Sequence, residues 1–543
     1  MGSQHTPRPR AAANDVDAVI VGAGVAGLYM LHRLRELGLR TRVIEMGDDV
    51  GGTWYWNRYP GARCDIDSLD YSYSFSEELQ QEWEWSARFA DQSEILDYLR
   101  HVAERFDLRR DIQFDTRVTA AEFDDATQQW TVTTETGASL TARYVVMATG
   151  CLSAQQVPKF PGLESFTGDW YHTGAWPHDG VDFTGMRVGI IGTGSSGVQS
   201  IPVIAEQAQH LHVFQRTPNF VVPARNAPLD PEYVRAFKAR YAEYREETLY
   251  SGAGTGRPAP TQSAFDVSPE EREAAYASAW AGGGLNFASI FTDVRVNRAD
   301  NEIAAEFVRS RIRETVDDPV TAEALCPYDF PIGTKRICLD TGYYETYNRP
   351  NVTLVNLRTS PLESITPTGL RTADADYELH SLVFATGFNA MTGALLAIDI
   401  RGRCGQTLQE RWVDGPVAYL GLGMAGFPNL FTITGPGSPS VLTNMAAAIE
   451  QHVEWVADCI AHLEAHGIAT IEPTATAEDA WMEHVADVGN GTLYPQANSW
   501  YMGANIPGKP RVFMPYVGGL GVYRQRCDEI VANDYEGFVL TAR

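Results

Sequence analysis

No Cys-x-x-Cys pair occurs in this 543-residue chain, and its seven cysteines (Cys64, Cys151, Cys326, Cys338, Cys404, Cys459 and Cys527) are scattered and odd in number. Both a disulfide framework and a dithiol redox centre are disfavoured, and free thiols in a reducing cytosol are expected. No apolar run reaches the roughly 20 residues that a membrane helix needs. The N-terminus lacks the apolar core of a secretory signal, and residues 1–14 read as a flexible, polar, alanine-containing tail. A cytoplasmic protein is expected. Cations are scarce: 43 Lys and Arg face 69 Asp and Glu, a net charge of −26. Phosphate backbones and anionic lipid repel such a chain, so neither nucleic acid nor membrane is expected as a partner. A local basic pocket stays compatible with that balance. His462 and His466 stand four apart, but Leu463 follows His462 where a zinc HExxH motif requires glutamate; no metal is expected.

What is present points to a globular protein of two or three domains, with 44% hydrophobic and 21% charged residues. Two segments share one logic. Asp17–Val21 is a short apolar strand running into Gly22-Ala23-Gly24-Val25-Ala26-Gly27, and a helix pattern follows. Arg187–Ile191 runs likewise into Gly192-Thr193-Gly194-Ser195-Ser196-Gly197 and a second helix pattern. In a strand–turn–helix context GxGxxG lets the backbone turn tightly and approach a pyrophosphate, which the helix N-terminus then binds. The next strand separates the two sites. Thr41–Glu45 ends in an acid, and Glu45 suits the ribose of the AMP half of FAD. Leu211–Thr217 ends in Arg216, which suits a 2′-phosphate and so NADP rather than NAD.

The fold expected is α/β, with two Rossmann-like dinucleotide-binding domains (FAD and NADP) and a helical insertion. The apolar segments Tyr144–Gly150 and Ser381–Phe388 mark crossings between them. The FAD domain would comprise 15–149 and 386–543, and the NADP domain 150–222 and 331–385. The insertion, 223–330, has helical spacing over Glu232–Tyr250 and Asp300–Thr315. Val441–His466 reads as a further helix.

Between the glycine motifs lies Phe166-Thr167-Gly168-Asp169-Trp170-Tyr171-His172-Thr173-Gly174-Ala175-Trp176-Pro177, which fills every fixed position of FxGxxxHxxxWP. Earlier stands Gly51-Gly52-Thr53-Trp54, continuing to Tyr59-Pro60-Gly61-Ala62-Arg63-Cys64-Asp65. With these motifs, Gly333-Thr334-Lys335-Arg336 and Asn498-Ser499-Trp500-Tyr501, nearly the whole chain resembles the type I Baeyer–Villiger monooxygenases, and within them the branch acting on aryl-aliphatic and steroid ketones. The resemblance implies FAD and NADPH as cofactors, and O2 and a ketone as substrates. It also implies a flavin peroxide anion held beside a fixed positive charge; Arg336 takes that role and Asp65 orients it. On FAD it implies Gly22, Gly24, Ala26, Gly27 and Glu45, with Thr53, Trp54, Asp65 and Tyr71 along the flavin, Val118 at the adenine and Met445 near the ring. On NADP it implies the turn Gly192–Gly197 with Thr193, Ser195 and Ser196, the 2′-phosphate ligands Arg216, Thr217 and Lys335, and Trp500 on a loop, 489–509, that orders when the cofactor binds. His172 becomes a domain-coupling residue of the fingerprint with Phe166, Gly168, Trp176 and Pro177. The substrate pocket falls to Cys151, Ser440, Val441 and Leu442. Cys151 replaces a glutamine of the resembled branch, which leaves the choice of ketone open. A monomer or weak oligomer is expected.

Two other readings stand beside this one. A nitrogen- or sulfur-oxygenating flavin monooxygenase shares both glycine motifs but needs neither Arg336 with Asp65 nor the terminal Trp176-Pro177. A non-catalytic NADPH- or flavin-sensing protein should lack a catalytic element, and none is missing.

Overall fold

The computed structural model describes residues 15–543, so the tail expected over 1–14 lies outside the described residues. Two sheets organise the chain. In the first, strand Asp15–Val21 pairs in parallel with Thr41–Ile44 on one side and Ser139–Met147 on the other. Ile112–Gln113 extends the sheet beyond Thr41–Ile44, and Leu430–Thr432 joins Ser139–Met147, both in parallel. The nine-residue strand Ser139–Met147 serves two further partners along its other edge. Its last residues, Val145–Met147, meet Leu430–Thr432; its first, Ser139–Ala142, close an antiparallel meander with Gln129–Thr134 and Val118–Asp124.

Alternation explains why Asp15–Val21 is apolar throughout its second half. Ala18 and Ile20 pack with Leu28 and Leu31 of helix Val25–Glu36, whereas Val19 and Val21 pack with Val118 and Trp130 of the meander. A parallel strand covered on both faces has no position left for a polar side chain.

The second sheet is wholly parallel, in the order Val352–Asn356, His210–Gln215, Arg187–Ile191, Ser381–Phe384, Asp169–His172. Helix Ser195–Gln207 follows Arg187–Ile191. The intervening stretch folds as the helices Pro231–Lys238, Tyr241–Leu249, Pro269–Gly282, Arg298–Thr315 and Pro319–Leu325. Four of these starts are set by side-chain caps from Asp230, Ser268, Asn297 and Asp318, with Pro at the first position of three of them. Helical spacing over Glu232–Tyr250 resolves into two helices, because Arg240 leaves helical geometry (φ −120°, ψ 21°). Val308 and Ile312 share one apolar core with Val188, Ile190 and Val213, so these helices are packed onto the second sheet.

One expected helix start is corrected. The long helix is Met445–His466, not Val441–His466: Ser440–Leu442 forms a separate 3-10 turn, Thr443 is extended, and the Asn444 side chain caps the helix at Ala446. Among the described residues no helix is long and apolar enough to cross a membrane.

Candidate active site and nucleotide cradles

Each glycine motif builds an open helix start. Gly22 (φ 106°) and Gly192 (φ 113°) adopt the left-handed backbone, and a Cβ on either would lie 2.6 or 2.4 Å from a carbonyl oxygen of the neighbouring strand end, Ala148 or Ala385. Gly27 and Gly197 let each helix sit on its own turn: a Cβ there would fall 1.8 Å from the Gly22 oxygen and 2.2 Å from the Gly192 oxygen. Gly24 and Gly194 begin the helices, and no side chain caps either one. Orphan N–H groups and a positive dipole end therefore face outward from both turns. At Gly194 a Cβ would meet nothing within 4 Å. These residues fit two bound pyrophosphates. Ala26, Ser195 and Ser196 lie in the first turns of these helices, Thr193 donates its hydroxyl to the Thr217 carbonyl (3.1 Å), and Ser195 Oγ meets Cys338 Sγ at 3.4 Å.

The two strand ends differ in charge and burial. Glu45 is buried and accepts from the Ala23 N–H (2.6 Å) and the Gly47 N–H (2.8 Å), so it braces the first turn. Burial pushes its carboxyl pKa up, and those N–H donors oppose the shift. At the second strand end, Arg216 is exposed beside Thr217, and Lys335 lies close by with its Nζ 4.3 Å from the centre of the Phe330 ring. Burial lowers the Lys335 pKa to about 8, and Arg216 and Arg358 lower it further against the pull of Asp329. A compact cationic cluster thus stands on a strongly acidic protein.

Arg358 belongs to this cluster, and sequence reasoning missed it. Its Nε donates to the Arg216 carbonyl at 2.7 Å, its guanidinium reaches Thr217 Oγ1 at 3.5 Å, and it pairs with Asp329. The parallel register Asn356↔Gln215 carries both strands to the same sheet edge. Nothing in the local sequence around Arg358 signals this; only the strand order does.

Arg336 and Asp65 meet although 271 residues separate them. The guanidinium is bidentate on the carboxylate, Nε to Oδ2 at 2.8 Å and an Nη to Oδ1 at 2.5 Å, and its other Nη donates to the Val441 carbonyl at 3.0 Å. A quarter of the Arg336 side-chain surface is exposed. Burial alone would lower its pKa, but the Asp65 charge outweighs burial and holds the guanidinium protonated above its ordinary range. The segment carrying Asp65 is fastened to the second nucleotide helix: the Tyr59 hydroxyl donates to Gln199 (2.8 Å), Gln199 donates to the Arg63 carbonyl (3.1 Å), and Gly61 leaves no room for a Cβ, which would sit 2.3 Å from the Gln199 oxygen.

The remaining predicted residues are spread over several elements. Trp54 Nε1 donates to the Tyr71 hydroxyl at 3.2 Å, and Thr53 begins the short helix Thr53–Trp56 and is exposed. Val118 opens the meander, on the opposite side of the first sheet from helix Val25–Glu36. Met445 opens the long helix. Cys151 and Val441 are buried in one apolar cluster with Met391, Tyr501 and Met514, against which Leu442, Met445 and Trp500 pack. Ser440 is fully buried with φ 42° and donates to the Thr434 carbonyl. Burial raises the Cys151 thiol to about 11, so it is neutral.

The fingerprint lies at the edge of the second sheet. Gly168 is in close approach, since a Cβ would lie 2.2 Å from the His380 oxygen. Phe166 is half-buried beside it, Trp176 is buried against Tyr171 and Phe183, and the Pro177 carbonyl accepts from Gly180. His172 is buried. Its Nδ1 accepts from the Gly174 N–H (3.0 Å), Nε2 is 3.4 Å from Thr386 Oγ1, and burial lowers its pKa. The loop bearing Trp500 is docked: Asn505 donates to the Phe388 carbonyl, and Lys509 to Asn389 Oδ1 and the Ala390 carbonyl, each at 2.7 Å. His462 and His466 stack at 4.1 Å, and no group of three His, Cys, Asp or Glu among the described residues is arranged to hold a metal.

Comparison with known proteins agrees with this geometry. A model of flavin-binding monooxygenase-like proteins matches residues 16–228. A Baeyer–Villiger monooxygenase of Pseudooceanicola batsensis is 43% identical over 98% of both chains. A phenazine N-monooxygenase of Lysobacter antibioticus is 44% identical over 96% of this chain and 97% of its own. A solved steroid monooxygenase bound to NADP is 54% identical, with a TM-score of 0.94 over 97% of this chain and all of the other. The chain belongs to the FAD- and NADPH-dependent Baeyer–Villiger monooxygenases.

Proposed function

We propose that the chain inserts one oxygen atom of O2 beside the carbonyl of an apolar ketone, aryl-aliphatic, cyclic or steroidal, giving an ester or lactone. The observation that carries this reading is the bidentate Arg336–Asp65 pair at the junction of the two nucleotide units. Bound FAD, reduced by hydride from NADPH, supplies the oxygen-activating ring. Arg336 contributes a cation that persists in any local environment, preorganised to hold developing negative charge. Asp65 fixes its orientation and offsets the cost of burying it. Arg216, Thr217, Lys335 and Arg358 hold the 2′-phosphate, and the N–H groups after Gly24 and Gly194 hold the two pyrophosphates. Residues 15–149 and 386–543 form the FAD domain, 150–222 and 331–385 the NADP domain, and 223–330 its insertion. Cys151, Val441, Leu442, Met445 and Trp500 form a dry wall for the apolar part of the ketone. His172 acts as a structural joint: its Nδ1 lone pair is engaged and burial keeps it neutral, so it neither gives nor takes a proton in the reaction. The seven unpaired thiols, six of them buried, suit a cytoplasmic setting.

One relative is named for oxygenating a phenazine nitrogen, so nitrogen transfer is the second reading. The test is purified holoenzyme with NADPH, O2 and a panel of phenylacetone, cyclohexanone, a steroid ketone and a phenazine. Ester or lactone from a ketone is the expected product. An N-oxide from phenazine, with every ketone returned unchanged, would replace the first reading by the second.

A further inference from the structure

One hydroxyl near the Arg336–Asp65 pair has no task in the function assigned above. Tyr501 follows Trp500 in the 3-10 turn Trp500–Met502 and is 2% exposed. Its ring lies in the apolar cluster with Cys151, Met391, Val441 and Met514. The Tyr494 ring meets it edge-on with centres 5.7 Å apart, the Trp500 ring lies 4.1 Å away, and the Tyr501 carbonyl accepts from the Met514 N–H at 3.0 Å. These contacts hold the phenol in one place.

Other buried tyrosines use their hydroxyls within the protein: Tyr73 donates to the Val25 carbonyl, Tyr241 to that of Leu69 and Tyr523 to that of Leu420. Among the described residues the Tyr501 hydroxyl has no hydrogen-bond partner, and unlike the sealed Tyr344 hydroxyl it retains accessible surface. It belongs to the Arg336 side of the cluster. Val441, a wall of that cluster, accepts from Arg336 through its carbonyl at 3.0 Å. Of the charged groups around the phenol, Arg336 and Asp65 act on it most strongly, and Arg295 less. Burial and then Tyr494 hold the phenol pKa well above its ordinary range, with Arg336 opposing and Asp65 adding to the shift. The hydroxyl therefore keeps its proton and can donate a hydrogen bond without acting as an acid. A buried phenol ordinarily finds a partner, and leaving it without one is costly. Tyr501 stands where the dry wall of Cys151 and Val441 meets the ion pair, the border at which an apolar ketone has to place its one polar atom.

We propose that Tyr501 is a further catalytic residue, whose hydroxyl donates a hydrogen bond to the carbonyl oxygen of the ketone held in front of Arg336. This rests on the ketone oxygenation assigned above. As the new C–O bond forms at the carbonyl carbon, the π electron pair of the C=O bond moves onto the carbonyl oxygen. The Tyr501 hydroxyl stabilises that growing charge without giving up its proton, and the pair returns when the ester carbonyl forms. A neutral donor suits the place. A second cation would be repelled by Arg336, and an acid would protonate the oxygen nucleophile and end its reaction. Trp500 and Tyr501 thus divide the turn that carries them, Trp500 toward the nucleotide and Tyr501 toward the ketone.

The experiment uses Tyr501→Phe, which removes one oxygen atom and keeps the ring. FAD-loaded wild type and variant are supplied with saturating NADPH, O2 and phenylacetone or cyclohexanone, and ester, NADPH loss and hydrogen peroxide are followed together. Ester kcat should fall about a hundredfold, with peroxide formed instead, while anaerobic flavin reduction by NADPH and the affinity for NADP+ stay within about twofold of wild type. A second reading separates hydrogen bonding from packing: the infrared carbonyl stretch of an isotope-labelled ketone bound to oxidised enzyme with NADP+ should lie lower in wild type than in Tyr501→Phe. Equal ester rates in two proteins that both convert ketones overturn the role of Tyr501 and leave the assigned function standing, as do equal carbonyl frequencies. NADP+ weakened about tenfold or more, with ester kcat unchanged, would place the hydroxyl on the nucleotide and also overturn the proposal. A wild type that oxygenates phenazine and no ketone would overturn the function itself, and this role with it.

Discussion

The pH dependence of cofactor choice follows from one lysine. Lys335 stands in the cationic cluster with Arg216 and Arg358, and burial followed by those two cations lowers its pKa to about 8. In the role proposed for Lys335, the cationic form is the one that would hold the 2′-phosphate. That form is complete below the pKa and is lost as pH rises through it; bound phosphate, an added anion, moves the pKa back up. NADP+ affinity should therefore be flat near about pH 7 and fall about tenfold per pH unit above about pH 8, or roughly 1.4 kcal/mol by about pH 9. NAD+ lacks only the 2′-phosphate, so its weaker affinity should stay level over the same range and serves as the internal control. The assay is titration of FAD-loaded enzyme with each nucleotide at constant ionic strength, because salt screens exposed parts of the cluster. Lys335→Met should abolish the slope. Arg358→Gln should move the break to higher pH by removing one of the two cations that depress Lys335, while weakening NADP+ about fivefold through a lost charge-assisted contact. An NADP+ affinity that is level across about pH 7 to 9.5, or one that NAD+ follows in parallel, would refute the reasoning.

Gly27→Ala should yield little soluble, flavin-free protein, since its Cβ would lie 1.8 Å from the Gly22 oxygen, whereas Gly194→Ala should fold and keep FAD but bind NADP+ at least about tenfold more weakly, its Cβ entering open groove. Absorbance of the purified variants and NADP+ titration separate the two cases. Arg245→Met should cost about 3 kcal/mol and lower the temperature of flavin release, because Arg245 donates to the Leu69, Asp70 and Ser72 carbonyls that flank Tyr71; a release temperature equal to wild type would count against that role. Cys151→Gln inserts volume into the buried cluster with Val441, Tyr501 and Met514. Bulky steroid ketones should lose more kcat/KM than cyclohexanone, by about tenfold in competition, and an unchanged ratio would remove Cys151 from the pocket wall.

Much of the architecture could be read from the chain because each glycine motif is a local device: strand, turn and helix follow one another directly, over residues 15–36 and 187–207, and the turn demands glycine for steric reasons that sequence states directly. Glu45 and Arg216 were legible on the same basis, as the ends of the next strands. The limits are equally physical. The long helix starts at Met445 and not Val441 because Asn444 caps it, a choice that apolar spacing through Ser440–Leu442 does not reveal. Arg358 and Asp329 reach the cationic cluster through sheet register and side-chain pairing, which no local pattern encodes. Asp65 and Arg336 were placed together on resemblance; spacing alone would not have joined residues so far apart.

The central claim is that the Arg336 cation, held by Asp65, makes oxygen transfer to a ketone possible without being needed for hydride transfer. The direct measurement is Arg336→Ala holoenzyme mixed anaerobically with NADPH, then exposed to O2 and the ketone that wild type converts best. Flavin bleaching by NADPH should proceed within a few-fold of wild type, while ester formation falls at least about a hundredfold and NADPH consumption ends in hydrogen peroxide. Ester formed at the wild-type rate, with one oxygen from O2 incorporated, would contradict the account.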